Sequence, residues 1–141
     1  MGLSCGVRYI KPGAVKPARI SGNKARGERC TLLTELPFQF SGRVFRSAMP
    51  FGPFDHQNQI WHLYRENEVD TVVVLAEPAE YLAYSQRDLP SFYNQKGLEV
   101  IHVPVPDHGL PPDKEEFHSA LHTVLEKGEE GQHSAVHCLA G

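Results

Sequence analysis

The stretch VDTVVVLAE, residues 69–77, decides how this 141-residue chain is to be read. Its continuous apolar centre, Thr71 to Leu75, does not alternate between polar and apolar as a strand with one wet face would. A short unbroken run of this kind reads as a strand covered on both sides, as in a parallel sheet.

Working outward from it, the same logic finds its partners. On the carboxyl side, LEVIHVPVPD (98–107) alternates well enough for a strand through Val103, before prolines break it. Between the two, residues 77–97 contain two prolines and only weak helical spacing, so a loop with one short helix ending near Gly97 is expected. Pro112 and Asp113 then open a helix with Glu116 at its third position. Phe117, Ala120, Leu121, Val124 and Leu125 form its apolar stripe, and Gly128 is expected to stop it. QHSAVHC (132–138) follows as a last strand delivering Cys138 to its carboxyl end.

On the amino side, LPFQF (36–40) and GRVFRSAMP (42–50) read as two short extended segments. Asp55 is placed to cap a helix that uses Ile60, Trp61, Leu63 and Tyr64 and ends near Glu68. There is no internal repeat. Strands alternating with helices give an α/β class: a central sheet with crossover connections, flanked by helices.

Composition sets the surroundings. Residues 1–30 hold seven basic residues against Glu28 alone, a net +6, so the rest must carry −9 for the chain to total −3. We read residues 1–32 as a basic, disordered tail and 33–141 as one domain. Contact of the tail with acidic lipid is the lesser reading, and no nucleic-acid partner is assigned to it. MGLSCG at the start resembles an acylation signal but has Gly6 where Ser or Thr is required. Three cysteines, Cys5, Cys30 and Cys138, make no disulfide framework, and no apolar signal region precedes them. A reducing cytoplasmic or nuclear setting follows as the default. His118 and His122 lie four apart on the long predicted helix, yet HSALH offers no third ligand, so solvated histidines are expected and no metal site.

In open α/β sheets ligands sit beyond the carboxyl ends of the strands. Asp107 and Cys138 both fall there. A cysteine is a nucleophile only as thiolate, and backbone N–H groups of a following turn both favour that form and cradle a phosphate. A leaving oxygen then needs a separate acid, for which Asp107 is suited by position. The prolines at 104, 106, 111 and 112 around it suit a semi-rigid loop.

At this point a resemblance emerges. VHCLAG (136–141) resembles the start of the H-C-x-x-G-x-x-R signature of protein tyrosine and dual-specificity phosphatases. VPVPDHGLPP (103–112) is similar to the general-acid loop of their small, compact members, and FRSAMP (45–50) to their R-S-x-x-P segment. The three lie in family order across about residues 38–141. The resemblance implies a phosphorylated protein (phosphotyrosine or phosphoserine/threonine) as substrate, with Cys138 as nucleophile and Asp107 as acid. It also implies that the N–H groups of Leu139, Ala140 and Gly141 begin the phosphate cradle, while His137 supports the turn. The scheme requires no metal and no cofactor; it says nothing about oligomeric state.

The signature's Arg would fall at position 144, and the sequence stops at Gly141. A domain truncated within its signature, inactive or nearly so, is therefore expected. With the following helix absent, one sheet face should lose cover and stability should be marginal. The alternative is a non-catalytic phosphatase-like module that binds phosphorylated partners.

Overall fold

The computed structural model describes residues 32–106 and 109–140. All but Leu32 of the expected basic tail, and both Asp107 and Gly141, lie outside the described residues. The strands are β1 Leu33–Glu35, β2 Arg43–Ser47, β3 Thr71–Val74, β4 Glu99–His102 and β5 His133–His137. They form one sheet in the order β1-β2-β5-β3-β4. β1 runs antiparallel to β2, and every other neighbouring pair is parallel. The helices are α1 Ile60–Glu66, α2 Pro78–Tyr84, α3 Leu89–Gln95 and α4 Lys114–Glu129. This is the α/β architecture expected from the alternation of elements.

Every residue of β3 is buried, because consecutive side chains enter opposite layers. Val72 and Val74 join a core with Ile60, Trp61 and Tyr64 of α1 and Leu89 and Tyr93 of α3. Val73 joins the other layer, with Val44 of β2 and Val124 of α4. The unbroken valine run is thus the sequence record of a sheet with helices on both faces.

Four local expectations need correction. The LPFQF segment is not a strand: β1 lies just before it, and the Phe38 and Phe40 rings stack instead at 5.3 Å. Residues 77–97 form two helices, not one. Pro78 and Pro90 sit in the first turn of α2 and α3, where the missing N–H costs nothing, so they start helices instead of breaking them. Each start is capped: Glu77 and Glu80 make a reciprocal box, and Asp88 accepts from the Ser91 N–H. Helix α1 ends at Glu66, two residues earlier than expected. Finally, Gly128 does not stop α4, which continues through Glu129; its lack of a side chain lets the Phe40 ring lie against the helix.

The α4 stripe is only partly engaged. Ala120 and Val124 are buried, whereas Leu121 and Leu125 keep 47% and 39% of their surface exposed, so the cover this helix gives its face of the sheet is thin.

Asp55 is not the cap of α1, whose N-cap is Gln59; it stands ahead of a single 3-10 turn, His56–Asn58, and reaches across it. Its carboxylate accepts from the N–H groups of Gln59 (2.8 Å) and Ile60 (3.1 Å) at the start of α1, and from Phe51 (2.7 Å) behind it. Between these points Phe51, Gln57 and Asn58 adopt positive φ angles of 64°, 70° and 55°, which non-glycine residues reach only under constraint. Asp55→Ala is expected to lower stability by about 2–3 kcal/mol, since three donors lose a buried charged acceptor. A loss under about 1 kcal/mol in urea unfolding would show that the loop holds itself without it.

Candidate active site

The carboxyl ends of the four parallel strands lie in register. Ser47 of β2 pairs with His137 of β5, His137 with Val74 of β3, and Val74 with His102 of β4. The next residue along β5 is Cys138, near the middle of this row and half-buried. β5 occupies the gap between β2 and β3, and the helix leading into it covers the opposite face from α1 and α3. Cys138 therefore sits just beyond the carboxyl end of the central strand, on the edge of the sheet along which ligands bind in open α/β folds.

Three hydrogen bonds fix the chain around it. The Leu75 N–H donates to the His137 carbonyl (2.9 Å), continuing the β3–β5 ladder. The Met49 N–H donates to the Leu139 carbonyl (3.1 Å), tying the turn to the segment after β2. His137 Nδ1 lies 3.0 Å from the Cys138 carbonyl oxygen. A carbonyl only accepts, so Nδ1 carries the proton. The ring's other nitrogen, Nε2, meets the Tyr93 hydroxyl at 2.9 Å. With Nδ1 protonated in a neutral ring, Nε2 is the acceptor and the phenol donates.

The ring is neutral for a physical reason. Burial pushes the His137 pKa down to about 4; the bond to the Cys138 carbonyl opposes the shift, and the nearby His102 adds slightly to it. An imidazole with 1% exposure has no water to stabilise a charge.

The sequence-predicted site residues separate as follows. His137, Cys138, Leu139 and Ala140 are consecutive at the sheet's centre, with Leu139 packed against the larger core cluster. Asp107 and Gly141 lie outside the described residues. The segment leading to Asp107 is anchored beside the site: Val103 donates to Val74 (3.0 Å) and Val105 to Leu75 (2.9 Å). Beyond it, the Gly109 N–H donates to the Pro106 carbonyl at 2.8 Å. Tyr93 was not singled out in the sequence, since nothing local marks a tyrosine whose partner lies 44 residues away. Among the described residues no three His, Cys, Asp or Glu groups converge as metal ligands. His122 instead contacts Glu126 at 3.1 Å on exposed helix surface. No helix of the described residues is long and apolar enough to cross a membrane.

Neither a protein-family model nor a curated protein matches the sequence. Solved structures do. The kinase associated phosphatase, in a form whose catalytic-site cysteine is replaced by serine, superposes with a TM-score of 0.67 over 77% of this chain at 17% identity. The phosphatase Tk-PTP, in a mutant form with one glycine replaced by alanine, matches 77% of the chain at 30% identity with a TM-score of 0.55. Its active form matches 71% at 33% identity, with a TM-score of 0.53. The chain has the fold of these phosphatases. It spans 65%, 62% and 59% of the lengths of these three phosphatases. Within the phosphatase fold, the row of strand ends and the turn that begins at Cys138 mark the place to look for chemistry.

Proposed function

We propose that this sequence encodes the nucleophile-bearing part of a protein tyrosine or dual-specificity phosphatase that hydrolyses phosphate monoesters. The observation that carries the reading is the position of Cys138, on the turn directly after the central parallel strand, with His137 bonded to its carbonyl. In the first step the Cys138 thiolate attacks phosphorus; an S–P bond forms and the P–O bond to the leaving group breaks. Asp107 gives its proton to the departing oxygen. In the second step Asp107 takes a proton from water as the water oxygen attacks phosphorus, and the S–P bond breaks to release inorganic phosphate and the thiolate. Backbone N–H groups of Leu139, Ala140 and Gly141 begin the cradle for the phosphate oxygens.

The signature's Arg would supply a two-point contact to those oxygens as charge develops. A polypeptide that carries Arg three residues after Gly141 is expected to hydrolyse aryl phosphates, and one without that Arg to do so far more slowly. Substrate assays on both polypeptides test this, with acid-quench trapping of radiolabelled phosphate. Label on Cys138 in the Arg-containing polypeptide, lost in Cys138→Ser, supports the reading. Turnover that survives Cys138→Ser, or hydrolysis as fast without that Arg as with it, contradicts it.

A further inference from the structure

We infer that Arg87 is a specificity-determining residue, recognising a second anionic group, carboxylate or phosphate, that the substrate carries beside the phosphate to be cleaved. The inference rests on the phosphatase reading for what this second anion accompanies. Arg87 stands in the loop between α2 and α3, two residues before α3 begins. Just over one turn into α3, Tyr93 reaches His137 at the end of β5, and the helix then runs back toward the start of β4. The loop ahead of α3 therefore lies on the same edge of the sheet as Cys138.

Two rings fix the side chain. Its guanidinium carbon lies 4.0 Å from the ring centroid of Phe51 and 5.4 Å from that of Phe92, and these rings meet edge to face. Phe51 belongs to the segment tied to the cysteine turn. Met49, two residues earlier, donates its N–H to the Leu139 carbonyl (3.1 Å), and the Phe51 N–H donates to the Asp55 carboxylate (2.7 Å). The backbone at Arg87 is constrained as well. The Ser85 hydroxyl lies 2.7 Å from the Tyr81 carbonyl oxygen and 3.3 Å from that of Arg87, and Gln86 takes a positive φ of 59°.

Arg87 is exposed, and among the described residues no carboxylate pairs with it. The acids around it have other partners: Asp88 accepts from the Ser91 N–H, and Asp55 from three backbone N–H groups. A ring covers the face of a guanidinium and leaves the N–H donors at its rim, which match the paired oxygens of a carboxylate or phosphate. Because the cation is ordered before anything binds, little freedom is lost when an anion arrives.

Three phosphotyrosine peptides, alike except for Ala, Glu or phosphoserine beside the phosphotyrosine, test this. Binding is measured on the Arg-containing polypeptide with Cys138→Ser, so that bound peptide is not consumed. The Glu peptide is expected to bind about fivefold, and the phosphoserine peptide about tenfold, more tightly than the Ala peptide at low salt. Arg87→Gln is expected to bring both ratios to within about twofold of one. Lys96→Gln is the control. Lys96 Nζ lies 5.6 Å from the Phe92 centroid, but at the far end of α3, so the substitution removes the same charge from the same rings away from the site. It is expected to leave the ratios unchanged.

An Arg87-dependent gain with Glu shows that a carboxylate suffices, and a gain with phosphoserine alone assigns a second phosphate; either sustains the inference. Ratios near one in protein that keeps Arg87, ratios that survive Arg87→Gln, or equal losses in Lys96→Gln would overturn it. Arg87-dependent ratios without turnover when Cys138 is restored would sustain it while removing the phosphatase reading. Should Arg87→Gln fail to fold, NMR of the Arg87 Nε–H decides: its resonance is expected to move with the Glu peptide and not with the Ala peptide, and equal movement would overturn the inference.

Discussion

Gly42→Ala is expected to destabilise the fold by about 3 kcal/mol or more. Gly42 stands just before β2, where the chain passes between the end of α4 and the start of β5. Its N–H donates to the Gly128 carbonyl at 2.7 Å. A methyl group there would overlap the Gln132 carbonyl oxygen and come within 2.9 Å of the Gly128 carbonyl oxygen. Both obstacles are backbone, so relief requires moving the helix end away from the sheet. Gly128→Ala meets the Phe40 ring instead, which can swing aside on its own side-chain torsions. Urea unfolding should therefore rank Gly42→Ala as the costlier of the two. The reverse order would mean that the α4–β5 connection yields more easily than a phenylalanine ring. Against a typical net stability of about 5–15 kcal/mol, the loss would be visible in expression as well as in the midpoint.

Between pH 7 and pH 5 the protein is expected to lose about 2 kcal/mol of stability, chiefly through His137. In the unfolded chain this histidine takes up a proton near its ordinary value of 6.5, whereas the folded ring resists until about 4. As pH falls the unfolded state binds the proton first, so its contribution is whole above about 6.5 and shrinks down to about 4. The full span of that shift corresponds to about 3 kcal/mol. His133 acts in the same direction. Burial lowers its pKa, with Arg43 adding to the shift and Asp70, Glu68 and Glu35 opposing it. Its Nδ1 accepts from the Arg43 N–H at 3.0 Å, so protonation removes a bond at the start of the β2–β5 pairing. Urea midpoints measured at pH 7, 6 and 5 check this in a window where most carboxylates stay ionised. A flat profile would place a charged His137 in the folded core and undo the tautomer argued from its contacts.

What could be read in advance divides along the range of the forces involved. β3 was legible because burial on both faces leaves no polar residue in the middle of its run, and α4 because its cap and stripe are local. The helices over 77–97 were obscured because proline carries opposite meanings inside a helix and at its first turn. Only the caps at Glu77 and Asp88 tell which applies. Gly128 looked like a terminator because its reason for being glycine, the Phe40 ring, comes from a distant part of the chain. At the site, Cys138 could be placed from the strand that delivers it. Tyr93 could not, since its phenol acquires meaning only once α3 is folded against the end of β5.

The order β1-β2-β5-β3-β4 has a consequence for how the molecule comes into being. β2 and β3 are made early but share no hydrogen bonds; each waits for β5, the last of the described strands along the chain. The pairing of Arg43 with His133 closes a loop of 90 residues. Until that closure, two apolar strands present open edges of the kind that other chains can pair with. Long-range parallel pairing is also slow to form. The turn at Cys138 is therefore assembled by the final insertion, so that folding and completion of the site are one event. A newly made chain is most vulnerable to aggregation just before it acquires its nucleophile's surroundings.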